Sequence, residues 1–165
     1  MASLLKAVTT KVTGLMAEPA GVNGKLAALS SGEQMELPQL DATQIVPQNM
    51  AAELAERTAG SKYPTLQIYC EKLANDLREK FRSFSGTARM TVEVRLSQDR
   101  LEGLESKVQL YVDAVTRVLD GSRGDWGDGM YYAGGYEAEF GAVKHGGRNF
   151  IQSAKVSFEV GVSRS

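Results

Sequence analysis

Apolar and polar positions alternate without interruption through "TARMTVEVRLS", residues 87–97, where Met90, Val92, Val94 and Leu96 interleave with Arg89, Thr91, Glu93 and Arg95. Successive side chains of a strand point to opposite faces, so this period of two predicts a strand with one face in a core and the other in water. The same alternation returns in "AKVSFEVGVS", where Ala154, Val156, Phe158, Val160 and Val162 oppose Lys155, Ser157 and Glu159. "KHGGRN" reads as the turn between that run and "YEAEFGAVK", so residues 136–163 are expected to form a long hairpin. A third strand is expected in "YPTLQIYC", carrying Tyr63, Leu66, Ile68 and Cys70, with Pro64 at its start or on an edge.

Between these runs the period lengthens to that of a helix. Leu4, Val8, Val12 and Leu15 follow a possible N-cap at Ser3 and predict a short N-terminal helix with one apolar stripe. Leu101, Leu104, Val108, Tyr111, Val115 and Val118 predict a long helix, capped by Ser97 or Asp99 and stopped by Gly121. Leu73, Leu77, Phe81 and Phe84 step by four, four and three, which predicts a short helix or packed segment ending at Gly86. An Ala-rich helix is expected over Gln48–Thr58. Residues 17–47 hold three prolines among Gly, Ser and Gln, so only "GKLAAL" is expected to turn helically within an otherwise extended arm. These elements predict an α+β fold: a mainly antiparallel sheet with helices on one face, a long C-terminal β-hairpin and an extended N-terminal arm. The expected division is 1–47, helix and arm, and 48–165, the α+β domain.

Composition changes this picture mainly by exclusion. The chain has 165 residues and a formal net charge of -1. That is one domain's length, without the basic excess that holds polyanions through counterion release. The single cysteine, Cys70, and single histidine, His145, leave no disulfide framework and no ordinary His/Cys zinc site. Cys70 is expected to be a buried thiol of a reducing interior. The first residues lack the long apolar run of a signal peptide, and no stretch approaches a membrane span, so a soluble protein is expected. There is no G-x-x-x-x-G-K-[ST] loop and no H-E-x-x-H pair. His145, in a turn, makes a poor base for a hydrolase. No catalytic, cofactor-binding or metal-ligating residue is assigned. Asp120, Asp125 and Asp128 cluster around glycines but fit no EF-hand spacing.

The run "DGSRGDWGDGMYYAGGYEAEF", residues 120–140, carries the strongest functional signal. Its glycines permit positive φ and close backbone approach. Trp126, Tyr131, Tyr132 and Tyr136 are of the type enriched where proteins grip one another, although the same rings could instead cap the edge of the sheet. A long hairpin on a small domain also leaves edge groups that a neighbouring copy can cover by adding strands. The residues favour an interaction module over an enzyme.

From "YPTLQIYCEKLAN" through "KFRSFSGTARMTVEVRLSQDRLEGLESKVQLYVDAV" to "RGDWGDGMYYAGGYEAEF" and "GGRNFIQSAKVSFEV", about residues 60–163, the chain resembles tail terminator and neck (head-tail joining) proteins of tailed bacteriophages. That resemblance implies a structural virion protein, assembled in the host cytoplasm, that forms a homo-oligomeric, hexameric ring. The ring is expected to cap the tail tube protein and face the head-side connector or adaptor, with DNA crossing its lumen unread and no membrane or cofactor involved. The expected subunit or ring-ring contacts are Trp126, Tyr131, Tyr132, Tyr136, Arg123 and Arg148. Arg89, Glu93, Arg95, Lys155 and Glu159 are candidates for charges lining the pore. The long N-terminal arm suggests an alternative, a head-completion or adaptor ring of the neck. A small ligand- or cation-binding domain using Asp125, Asp128 and His145 is a further one.

Overall fold

The computed structural model describes residues 3–51 and 62–165. Most of the Gln48–Thr58 helix expectation therefore lies outside the described residues, and Gln48–Ala51 are not helical. In chain order the elements are α1 (Leu4–Ala17), α2 (Val22–Glu33), a 3-10 turn (Ala42–Gln44), β1 (Ile45–Val46), β2 (Thr65–Asn75) and β3 (Phe84–Gln98). They continue with α3 (Leu104–Asp120), β4 (Gly124–Gly127), β5 (Met130–Tyr132), β6 (Glu137–Phe140), β7 (Lys144–Gly146) and β8 (Asn149–Arg164). The fold is α+β, with a mixed, mostly antiparallel sheet.

The sheet is organised around β3 and β8, antiparallel from Phe84↔Arg164 to Gln98↔Phe150. β2 flanks β3, and β1 adds a short parallel pair at Ile45↔Leu66. On its other edge β8 receives three short strands in turn, β7 at Lys144↔Ile151, β6 at Glu137↔Ser157 and β5 at Met130↔Val162. The predicted hairpin therefore forms, but in two pieces, because Gly141–Val143 interrupts the pairing.

The apolar alternation of β3 and β8 does what the pattern predicts. Met90, Val92, Val94, Val156, Phe158 and Val160 are buried against the helix layer of α1, α2 and α3. Ser3 caps α1, its side chain accepting from the Lys6 N–H at 3.4 Å. α3 begins three residues later than the Leu101 expectation, behind Gly103 at φ 80°, since β3 runs on through Ser97 to Gln98. Leu101 is left exposed.

Three expectations are corrected. Residues 18–47 are not an extended arm: Val22, Leu26 and Leu29, spaced four and three, form the buried stripe of α2, and Leu37, Leu40 and Ile45 join the same core. The Asn23 side chain pins the returning segment by donating to Leu40 O at 2.7 Å and accepting from Leu40 N–H at 2.8 Å. Tyr111 Oη donates to Pro38 O. The boundary at 47/48 therefore divides one core.

The second correction concerns residues 73–84. They form no helix, because β2 extends to Asn75, and Leu77 and Phe81 lie in the β2–β3 turn with φ of 49° and 63°. The third concerns the face of β3 predicted to be wet. Thr91, Glu93 and Arg95 are buried there, with Gln67 and Tyr69 of β2 beside them.

Candidate functional site

The glycine-aromatic run separates into inward and outward residues. In β5, Met130 and Tyr132 face the core and Tyr131 faces out, as a period of two requires. Tyr132 is fully buried, donates its hydroxyl to Gly135 O at 2.9 Å, and meets Phe158 edge-on with centroids 5.6 Å apart. Burial pushes its phenol pKa up to about 12. A side chain with no surface cannot touch a neighbour, so its expected interface role is corrected to a core role.

Trp126 is half-buried: its indole N–H donates to Ser122 O at 2.7 Å, just past the end of α3, and its ring packs on Tyr132 at 5.6 Å. One side of the ring still lines a surface groove with Lys6 and Lys11 of α1. Tyr131 and Tyr136 are 55% and 40% exposed. Tyr136 Oη lies 3.5 Å from the Asp120 carboxylate, at the limit of a hydrogen bond. Arg123 is exposed, 3.6 Å from Asp120, and its side chain lies over Gly134. A Cβ at Gly134 would stand 2.9 Å from Arg123 Nε, a contact the exposed arginine can relieve by moving, and it is the φ of 99° that requires glycine there. Arg148 is exposed in the β7–β8 turn, at the opposite end of β8 from the Met130↔Val162 pairing. The structure thus groups Tyr136, Arg123 and Asp120, and leaves Arg148 apart.

The alternative chemistry does not assemble. Asp125 Oδ1 accepts from Gly127 N–H at 2.8 Å, Asp120 faces Arg123 and Tyr136, and His145 lies edge-on to Phe150 at 5.0 Å. Among the described residues, no three His, Cys, Asp or Glu side chains gather as a metal site. No helix among them is long and apolar enough to cross a membrane.

Of the charges expected to line a pore, Glu93 and Arg95 are removed from solvent. Arg95 Nε donates to Glu93 Oε2 at 2.5 Å, Arg95 Nη2 donates to Met50 O, and Tyr69 Oη donates to Glu93 Oε1 at 3.0 Å. Burial and the Glu93 charge together raise the Tyr69 pKa. Arg89, Lys155 and Glu159 keep solvent access, and Arg89 bridges Glu71 and Glu137 at 3.0 and 3.2 Å.

The most conspicuous surface feature was not legible in the sequence. At the tip of the β2–β3 hairpin Phe81 is 100% exposed, with Leu77 and Leu73 also in water. The spacing of these residues imitates a helix stripe. "NDLREKFRS" is nonetheless polar at its other positions and opens on Asn75–Asp76, a turn-forming pair that was the available warning. No family model matches the chain, and no curated protein matches it.

Proposed function

We propose that this chain is a structural subunit of a ring at the head-tail junction of a tailed bacteriophage, capping the tail tube and meeting the head-side connector. The phage setting rests on the resemblance of the strings quoted above. The observation that carries the assembly is that one subunit exposes two unlike apolar surfaces. One is the hairpin tip with Leu73, Leu77 and Phe81; the other is the helix-side rim at β6 with Tyr136 and Phe140, Tyr131 lying on the opposite face of the sheet. Two unlike surfaces on one chain favour heterologous contacts, which close into a ring when the rotation between neighbours allows it.

β6 adds to this reading. All four of its residues are exposed, and among the described residues no strand lies on its outer side, so its backbone groups are open to pairing. The neck-adaptor alternative drew on an outward-reaching arm, and residues 18–47 pack inward instead. Light scattering on the purified chain, with negative-stain images of the same sample, tests the proposal. Closed rings of several subunits are expected, and a monomer at every concentration would refute it.

A further inference from the structure

Among the described residues the sheet has an open edge on each side. On one side β1 covers β2 only at Leu66 and Gln67, and no other described strand lies outside β2. The end of β2, Lys72–Asn75, is therefore free beyond the bulge at Cys70/Lys72. On the other side β6 offers the four residues Glu137–Phe140. Edges that must stay single are commonly blunted by charge, proline or a covering segment. These two carry exposed apolar side chains instead, Leu73 on the first, Phe140 on the second and Tyr136 just before it.

Register divides each edge between the two faces of the sheet. Leu73 lies opposite Ala88, and Ala138 opposite Val156, both buried on the helix side, so Leu73, Ala138 and Phe140 share that face. Tyr136 lies on it too, 3.5 Å from Asp120 at the end of α3. On the far face Lys72 lies opposite Arg89, and Glu139 opposite Lys155. Neither edge charge is satisfied within the subunit. Arg89 is taken by Glu71 and Glu137, and Lys155 is directed to Glu93 at 3.9 Å. Among the described residues Lys72 and Glu139 have no ion-pair partner.

Strand sense agrees with these side chains. β2, β3, β8 and β6 alternate in direction, so β2 and β6 run antiparallel to each other. A rotation about an axis lying along the strands changes neither a strand's sense nor the side on which a face lies. It therefore brings β6 of one copy antiparallel to β2 of the next, apolar side to apolar side. With Lys72 opposite Glu139, Leu73 falls opposite Ala138 and has Tyr136 and Phe140 as diagonal neighbours, within reach of aromatic rings. One subunit cannot join its own edges, because β3 and β8 stand between them, about 14 Å across at ordinary strand spacing.

We infer that β6 adds to the free edge of β2 in a second copy of this chain, antiparallel and with Lys72 opposite Glu139, so that the sheet runs on from subunit to subunit. This rests on the ring proposed above and names its subunit contact. Its two halves are different edges of one sheet, which makes the contact head-to-tail.

The test uses the full chain. Light scattering over a concentration series compares the unaltered chain with Lys72→Glu, Glu139→Lys and the double variant. Each single reversal sets like charges opposite one another and is expected to weaken self-association about tenfold. The double variant restores an opposite pair and should recover most of that loss. A second measurement reads the register without relying on charge. In a Cys70→Ser background, chains with Lys72→Cys are mixed with chains with Glu139→Cys and oxidised. Disulfide-linked dimers are expected from that mixture and from neither chain alone. Lys72→Cys mixed with Ala138→Cys should stay unlinked, since those two positions lie on opposite faces. If the unaltered chain forms rings but the first mixture does not cross-link, or all four charge variants associate alike, the contact is overturned while the ring stands. If the unaltered chain stays monomeric throughout, the ring is overturned and this contact with it.

Discussion

Replacing Arg95 with methionine tests the buried polar layer on the far side of β3. Arg95 is 3% exposed and Glu93 5%, so the two charges are isolated from water and depend on each other. In Arg95→Met, Glu93 loses its 2.5 Å partner and keeps only the Tyr69 hydroxyl at 3.0 Å and Lys155 Nζ at 3.9 Å. Breaking a buried pair by removing one partner costs about 3–5 kcal/mol, of which the half-exposed Lys155 offsets only a part. For a domain of this size that corresponds to a fall in Tm of roughly 6–20 °C. Adding Glu93→Gln removes the orphaned charge while keeping an acceptor for Tyr69, so the double variant should recover about 2 kcal/mol of the loss. Chemical denaturation of the four members of the cycle measures this coupling directly. A single Arg95→Met variant within about 1 kcal/mol of the parent, or a double variant no better than the single, would refute a mutually dependent pair.

Three other outcomes are expected. Gly129→Ala should destabilise by at least about 2 kcal/mol, because φ is 78° and a Cβ there would stand 2.0 Å from Ser163 O; a thermal melt checks it. Tyr132 holds its proton to about pH 12 when folded and loses it near 10 when unfolded, so between those values the native state binds more protons. Stability from this group is complete below about pH 10 and is lost as pH rises to about 12, and Tyr132→Phe should flatten that part of an alkaline denaturation profile. On assembled particles, Tyr136→Ala should weaken ring or ring-ring contacts with Tm nearly unchanged, whereas Tyr132→Ala should lower Tm by unfolding the core, which paired melts and negative-stain images distinguish.

The sequence by itself determined the elements whose periodicity is long and whose two faces differ. β3, β8, α1 and α3 were all legible, because each carries four or more apolar residues at one constant period. It also determined what the chain lacks, since one histidine and one cysteine bound the available chemistry whatever the fold.

Tertiary structure decided the rest. Residues 18–47 fold because Asn23 and Tyr111 anchor backbone groups far away in sequence, and local propensity is silent about such partners. Tyr131 and Tyr132 are adjacent and chemically identical, and the pairing Tyr131↔Gly161 with β8 is what turns one outward and the other into the core. Arg95 reads as a surface charge until the Met50 carbonyl, 45 residues away, joins Glu93 of the same strand in receiving its hydrogen bonds. Phe81 shows the reverse: it has the spacing of a buried stripe, yet β2 continues past the point where that stripe needs a helix, and the turn lifts it into water. A pattern states which residues prefer burial, and only the arrangement of the other elements settles which of them obtain it.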